Sequence, residues 1–423
     1  MKYYLKLKKK IQTKKAKICV IGLGYVGNEI IKKFDSEGFK TIGIDLNVEN
    51  VKKKQNFKTR IKITNDYKFI SDSDVIIIAL PTPLTKNLNP DLSILKTSLS
   101  SMRNYLKKGQ LISLESSSYP GTTEETIGQL LKLKKFKIAQ DFFLVYSPER
   151  ISPEIKIKQK EIKYNLHNTP KLCAGYSSKC LNLGKELYKF ITKKVILSSS
   201  IKSAETAKMV ENVFRSVNIA LVNELKMFLD KIQIDINEVL DLAGTKPFGF
   251  TKFSPGPGYG GHCIPLDPFY LYWLAKKKNF ELKFIKTAGL INRKITDWIV
   301  KKIIKFIDKK KIKLKENKVL ILGVAYKANI DDIRESPALI IAEKLKKKGF
   351  DFDFSDPYVK NIIFQNKKKS SQKINSKILK KYEIVIIVTD HAKFNYNLIA
   401  KEAKYLFDCR NVVKNRKKNY YKV

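Results

Sequence analysis

The chain has 423 residues, 43% of them hydrophobic and 11% aromatic, which is enough for two or three cored domains. Its 84 Lys and Arg stand against 40 Asp and Glu, for a formal charge of +44. That charge comes with no nucleic-acid recognition motif and fits an affinity for small anions such as nucleotides, while no apolar run reaches the roughly 20 residues of a membrane helix.

Residues 1–16 are basic and read as a tail. The apolar stretch after them is too short and glycine-broken for a signal peptide. "KICVI" (17–21) reads as a buried strand, then a helix to about Phe34, then the strand "FKTIGIDL" (39–46). "DVIIIALPTP" (74–83), "GQLISLESSSYPGTT" (109–123) and "FLVYSPER" (143–150) are further strands. Strands alternating with helices predict a doubly wound α/β domain over 17–199. Residues 200–232 hold no glycine or proline and place Met209, Val213, Val217, Ala220, Leu221 and Leu225 at helical spacing. They predict one long helix, a spine between domains or a dimer surface, opening a helical middle domain over 200–307. Residues 268–307 read as helical again. "KVLILGVAYKANIDDIRESPAL" (318–339), "DFDFSDP" (351–357) and "YEIVIIVTD" (382–390) predict a second α/β unit over 308–423, and "NKKKSSQKINSK" (366–377) a solvated loop. The expected fold class is α/β, with two Rossmann-like doubly wound domains joined by a helical middle domain.

"GLGYVG" follows a strand and opens a helix. Gly22 permits the tight turn, Gly24 lets the backbone approach a pyrophosphate, and Gly27 allows close helix–strand packing, with Tyr25 and Val26 between them. Asp45 ends the next strand; it can accept from both ribose hydroxyls and would repel a 2′-phosphate, so NAD is favoured over NADP. Thr82 and Ser117 end later strands of the same sheet and are candidates for the nicotinamide side, or are turn-forming hydroxyls.

"SPGPGYGGHCIPLDPFYLYW" (254–273) carries Cys263. Its glycines free backbone N–H groups for a ligand, and a helix start follows. The residues leave Cys263 open between a nucleophile and a buried turn filler. The five cysteines are widely spaced with no C-x-x-C, and there are three histidines, which argues against a disulfide framework or metal centre and suits a reducing cytoplasm. Lys208 and Asn212 lie one turn apart and could stabilise an alkoxide, or form a solvated pair. Glu149 could act as a base for water, and Asp267 could hold a water or orient Lys208.

From "GLGYVG" through "PTPL", "ESSSYPGTT", "YSPERI", "ETAKMVENVFRSVNIALVNEL", "PGPGYGGHCIPLDPFYL" and "GVAYKANIDDIRESPAL", the chain resembles the UDP-glucose/GDP-mannose dehydrogenase family over about 17–413. The resemblance implies an NAD-dependent four-electron oxidation of a nucleotide-sugar C6 alcohol to a carboxylate, with two NAD and no metal. It implies Cys263 as nucleophile through a thiohemiacetal and thioester, Lys208 and Asn212 on the oxyanion, and Asp267 and Glu149 in proton transfer and hydrolysis. It implies Phe253, Gly256, Gly258, Tyr259, Gly260 and Gly261 around the sugar nucleotide, Lys327 and Arg410 on substrate, and Arg334 on the NAD pyrophosphate. It also implies a homodimer through the long helix. Ser117 stands where the family usually has threonine, and only Glu149 is assigned where some members carry a second glutamate. His262 resembles the branch acting on UDP-N-acetylhexosamines, with UDP-N-acetylglucosamine first, UDP-N-acetylmannosamine second and UDP-glucose third. A binding protein without catalysis, for a nucleotide sugar or a nucleic acid, is the competing class.

Overall fold

The computed structural model describes residues 2–55, 61–85, 87–151, 164–261, 264–314 and 318–423. The chain packs as two compact units, Met1–Glu211 with Phe269–Phe280, and Asn212–Pro268 with Glu281–Val423.

The first unit is built on eight strands: β1 (Lys17–Ile21), β2 (Lys40–Ile44), β3 (Lys62–Thr64), β4 (Val75–Ile78), β5 (Leu111–Leu114), β6 (Phe143–Tyr146), β7 (Lys171–Gly175) and β8 (Val195–Leu197). Their order across the sheet is β3-β2-β1-β4-β5-β6-β7-β8. All pairs are parallel except β6–β7. The reversal of chain order at β1 is the switch point at which such sheets bind dinucleotides. Alternate residues feed two cores. Ile18, Val20, Val75 and Ile77 face one, and Cys19, Ile21, Ile76 and Ile78 face the other. That explains the unbroken apolar runs, because both faces are covered.

The second unit holds a parallel sheet of β9 (Lys318–Leu322), β10 (Asp351–Ser355), β13 (Ile384–Ile387), β14 (Tyr405–Asp408) and β15 (Tyr420–Lys422), in the order β10-β9-β13-β14-β15. Between them β11 (Asn361–Phe364) and β12 (Lys367–Ser370) form an antiparallel hairpin. Here too the pleat splits the sheet, with Val319 and Ile321 to one core and Leu320 and Leu322 to the other.

Several expectations need correction. Residues 1–16 are not a tail, since Lys2–Gln12 is a helix. Leu7 and Ile11, four apart, are 1% and 0% exposed, and the lysines take the other faces. The segment 366–377 is not a loop. Gln365 and Asn366 both have positive φ, as a two-residue hairpin turn requires, and β12 comes next. Asn375 then caps a short helix, Ser376–Lys381, by accepting from Ile378 N at 2.9 Å. The run 268–307 is two helices, Asp267–Lys277 and Lys283–Lys309, separated at Asn279, whose φ is +56°. The long helix is Ile201–Lys231. It buries Glu205, Lys208, Ser216, Asn223 and Lys226, yet exposes Val210, Phe214, Leu221, Leu225 and Phe228. Met209 and Ala220 are buried as their spacing suggests, but Leu221 and Leu225 are not. No helix among the described residues is long and apolar enough to cross a membrane.

Because Ile11 is fully enclosed, Ile11→Ala is expected to cost about 2–5 kcal/mol, seen as an earlier urea transition with NAD affinity unchanged.

Candidate active site

The sharp turn after β1 is imposed by backbone contact. Gly22 has φ +87°, and a Cβ on Gly27 would lie 1.9 Å from the Gly22 carbonyl oxygen, so no side chain fits there. Gly24 ends the turn as N-cap of the helix Tyr25–Ser36 with no side-chain cap, and a Cβ there would meet nothing within 4 Å. An uncapped helix N-terminus beside open space is the donor set a pyrophosphate needs. Asp45 closes the loop, its Oδ2 accepting from Leu23 N at 2.7 Å and its Oδ1 from Asn47 N at 2.9 Å. Tyr25 is exposed and Val26 partly buried on the first turn. These residues fit NAD.

The loops after β4 and β5 are stitched together. Thr82 Oγ1 donates to the Ser117 carbonyl at 2.6 Å, and Ser116 Oγ to the Leu80 carbonyl at 2.7 Å. Tyr270 OH donates to the carbonyls of Thr82 and, at 3.2 Å, Pro83. Thr82 and Ser117 thus stand side by side at the sheet's carboxyl edge. Glu205, fully buried on the long helix, accepts from Gly121 N, Thr123 N and Thr123 Oγ1 at 2.5–2.9 Å. Burial raises its carboxyl above the ordinary range while those donors pull it down.

Glu149 follows β6 and is 9% exposed. Its Oε1 accepts from Arg150 N at 2.7 Å and Ile151 N at 3.0 Å, and its Oε2 from Lys171 Nζ at 3.0 Å. Lys171 also donates to Glu115 Oε2 at 2.7 Å, and Tyr188 OH donates to Glu115 Oε1 at 2.5 Å. Sequence reasoning missed Lys171, Glu115 and Tyr188. Glu115 opens "ESSS" at a strand end, a position that could have been flagged. A lysine among so many carries no signal.

Lys208 is 8% exposed, and among the described residues no side chain pairs with its Nζ. Asn212, one turn on, donates from Nδ2 to Asp267 Oδ2 at 2.5 Å. Asp267 is 2% exposed at the first position of its helix, where the dipole favours a carboxylate. Asp267 thus orients the Asn212 amide. His262 and Cys263 lie outside the described residues. The four other cysteines are free and buried, and burial pushes the thiols of Cys19, Cys173 and Cys409 up to about 12, which makes those three poor nucleophiles.

In the second unit a ladder of amides carries the glycine loop. Gly256 N donates to Asn223 Oδ1, Asn223 Nδ2 to Asn292 Oδ1, and Asn292 Nδ2 to the Ser216 carbonyl, each at 3.0 Å. Arg410 lies on the loop, with one guanidinium nitrogen 2.8 Å from where a Gly256 Cβ would be. Its Nε donates to the Val388 carbonyl at 2.9 Å. Gly258 packs on the Asn292 carbonyl, and Gly260 and Gly261 on Tyr326. Gly261 N donates to the Arg334 carbonyl at 2.9 Å. The Arg334 side chain is over half exposed and clasps Asp332 at 2.6–3.0 Å. Phe253 packs edge-on to Phe214 at 5.8 Å. Tyr259 is partly buried, which raises its hydroxyl, and Lys327 is half-buried beside Tyr326. A second missed pair is Asp356 after β10 and His391 after β13. Asp356 Oδ2 accepts from Val324 N and Ala325 N, and His391 Nε2 bonds it at 2.9 Å. This repeats the Leu23–Asp45 contact of the first unit.

Comparison with known proteins agrees with this layout. The NAD binding domain of the UDP-glucose/GDP-mannose dehydrogenase family matches residues 49–192, its central domain 202–294 and its UDP binding domain 320–415. A protein of Methanocaldococcus jannaschii named UDP-N-acetyl-D-mannosamine dehydrogenase is 34% identical over 94% of this chain and 92% of its own. One of Salmonella typhi named UDP-N-acetyl-D-glucosamine 6-dehydrogenase is 33% identical over 89% of this chain and 90% of its own. A solved UDP-D-ManNAc dehydrogenase of Pyrococcus horikoshii superimposes with a TM-score of 0.82 at 28% identity, covering 96% of this chain and 98% of that one. Fold and site define an NAD-dependent dehydrogenase. The chain belongs to the UDP-glucose/GDP-mannose dehydrogenase family.

Gly27→Ala is expected to lower NAD affinity by about 100-fold or more by calorimetry, since the turn cannot form around a Cβ 1.9 Å from a carbonyl oxygen. Asp45→Ala is expected to narrow the preference for NAD over NADP.

Proposed function

We propose that the protein oxidises the C6 hydroxyl of a UDP-N-acetylhexosamine to the carboxylate. The observation that carries this is Lys208, a lysine 8% exposed with no side-chain partner among the described residues, one turn from an amide locked by Asp267. A buried ammonium without a counter-charge is costly, and an oxyanion on the substrate supplies one. UDP-N-acetylglucosamine is the first reading, on the resemblance of "PGPGYGGHCIPLDPFYLYW" and "GTKPFGF". UDP-N-acetylmannosamine is the second reading, favoured by the names of the M. jannaschii and P. horikoshii relatives. The Gly256–Gly261 loop, Arg410 and Lys327 are the proposed sugar-nucleotide contacts.

Gly22–Gly27 and Asp45 would hold NAD, which would supply the hydride acceptor for each of the two oxidations. The Cys263 thiolate adds to C6 at the aldehyde level, with Lys208 and Asn212 holding the negative oxygen. Glu149 then takes a proton from water, the water oxygen bonds to C6, and the C–S bond breaks to return Cys263 as thiolate. Thr82 and Ser117 are proposed on the nicotinamide side, and Arg334 on the pyrophosphate. The exposed Phe214, Leu221 and Phe228, spaced by sevens on the long helix, support a dimer through that face.

NADH formation with UDP-N-acetylglucosamine, UDP-N-acetylmannosamine and UDP-glucose tests the reading. Two NADH per sugar are expected for one N-acetylhexosamine. Binding without NADH from any of the three would sink it. Cys263→Ala should abolish turnover, and Lys208→Met should lower kcat about 100-fold or more. Phe214→Glu with Leu221→Glu should shift the mass by light scattering from dimer to monomer.

A further inference from the structure

The cluster behind Glu149 is more elaborate than a general base requires. Exposure falls from Glu149 at 9% through Lys171 and Glu115 at 3% to Tyr188 and Ser113 at 0%. Each step is bonded: Glu149 to Lys171 at 3.0 Å, Lys171 to Glu115 at 2.7 Å, Glu115 to Tyr188 at 2.5 Å, Tyr188 to Ser113 at 2.7 Å. Lys171 Nζ also lies 5.1 Å from the Tyr188 ring centre. One cation thus serves two buried carboxylates, an arrangement that fails when the cation is removed.

We propose that Lys171 is a positioning residue for Glu149: anchored by Glu115, its ammonium fixes the direction and charge of the Glu149 carboxylate and so sets the rate of the hydrolytic half-reaction. This rests on the reading of Glu149 as the base for water. The two backbone N–H groups hold one carboxylate oxygen and Lys171 holds the other, so rotation of the group is blocked from both ends. Among the described residues, ionisable neighbours face the cluster from three elements. Glu115 comes from the end of β5, Cys173 from β7, and Tyr188 from the helix Ser178–Tyr188. Beyond Glu149, Arg150 is paired with Glu211 of the long helix at 2.6 Å. Burial, opposed by Lys171 and reinforced by Glu149, pushes the Glu115 carboxyl up to about 7. Lys171 is bonded to both carboxylates, so the charge on Glu115 bears on Glu149 through the ammonium they share.

The test compares wild type with Lys171→Met, Lys171→Arg, Glu115→Gln and Glu149→Gln. It measures kcat, KM, the pH profile and the pre-steady-state NADH burst. Lys171→Met should lose about tenfold or more in kcat. It should keep KM and the burst, and move the acid limb to higher pH, because two carboxylates then share a site without a cation. Lys171→Arg should restore most of the rate. Glu115→Gln should move the limb the opposite way, since Lys171 then serves Glu149 alone. That opposite displacement decides the matter even if Lys171→Met fails to fold, because loss of packing lowers activity without a signed pH shift. An unmoved limb in Glu115→Gln, or wild-type turnover in Lys171→Met, overturns the proposal. Should Glu149→Gln hydrolyse normally, the assignment of Glu149 itself fails. Slow hydrolysis in Glu149→Gln beside normal Lys171→Met removes the role of Lys171 alone.

Discussion

The ammonium of Lys171 reaches Glu149 because β7 runs against β6 in a sheet that is otherwise parallel. In a parallel continuation the first residue of β7 would lie at the amino edge of the sheet, far from the loops that follow the strands. The reversal brings Lys171 to the carboxyl edge, and Ser147 Oγ ties the end of β6 to β7 by donating to the Leu172 carbonyl at 2.6 Å. Three buried charges then satisfy one another across β5, β6 and β7, where any one alone would be costly. The loops after β4 and β5 are tied to each other and to Glu205, which braces that stretch of the carboxyl edge.

The second unit braces its glycine loop with neutral groups. Its glycine loop hangs from Asn223 and Asn292, amides that can each donate and accept, so the ladder needs no buried charge. The Gly323–Asp356 turn repeats the Gly22–Asp45 turn, with one difference. Here the carboxylate also bonds His391, which in turn accepts from Asn329 N at 2.9 Å through Nδ1. That second bond secures the loop beside Lys327.

What could be read from the residues divides along physical lines. The dinucleotide loop was legible because its glycines answer a steric demand at Gly22 and Gly27. The buried strands were legible because parallel sheets need unbroken apolar runs. The short strands β3 and β8 and the hairpin β11–β12 were not, since Gln365–Asn366 lacks the usual turn glycine. The N-terminal helix was hidden because Leu7 and Ile11 are outnumbered by lysines. Asn223 and Asn292 look like solvated helix positions until two helices are placed together. The pairing of Lys171 with Glu115 depends on a strand direction that no local pattern encodes.

The burial of Cys19, Cys173, Cys180 and Cys409 has a practical consequence. A gentle alkylating reagent finds these four thiols shielded while the cores stay closed. The same four thiols open only when their cores do, so the onset of extra labelling on warming reports local unfolding of each sheet.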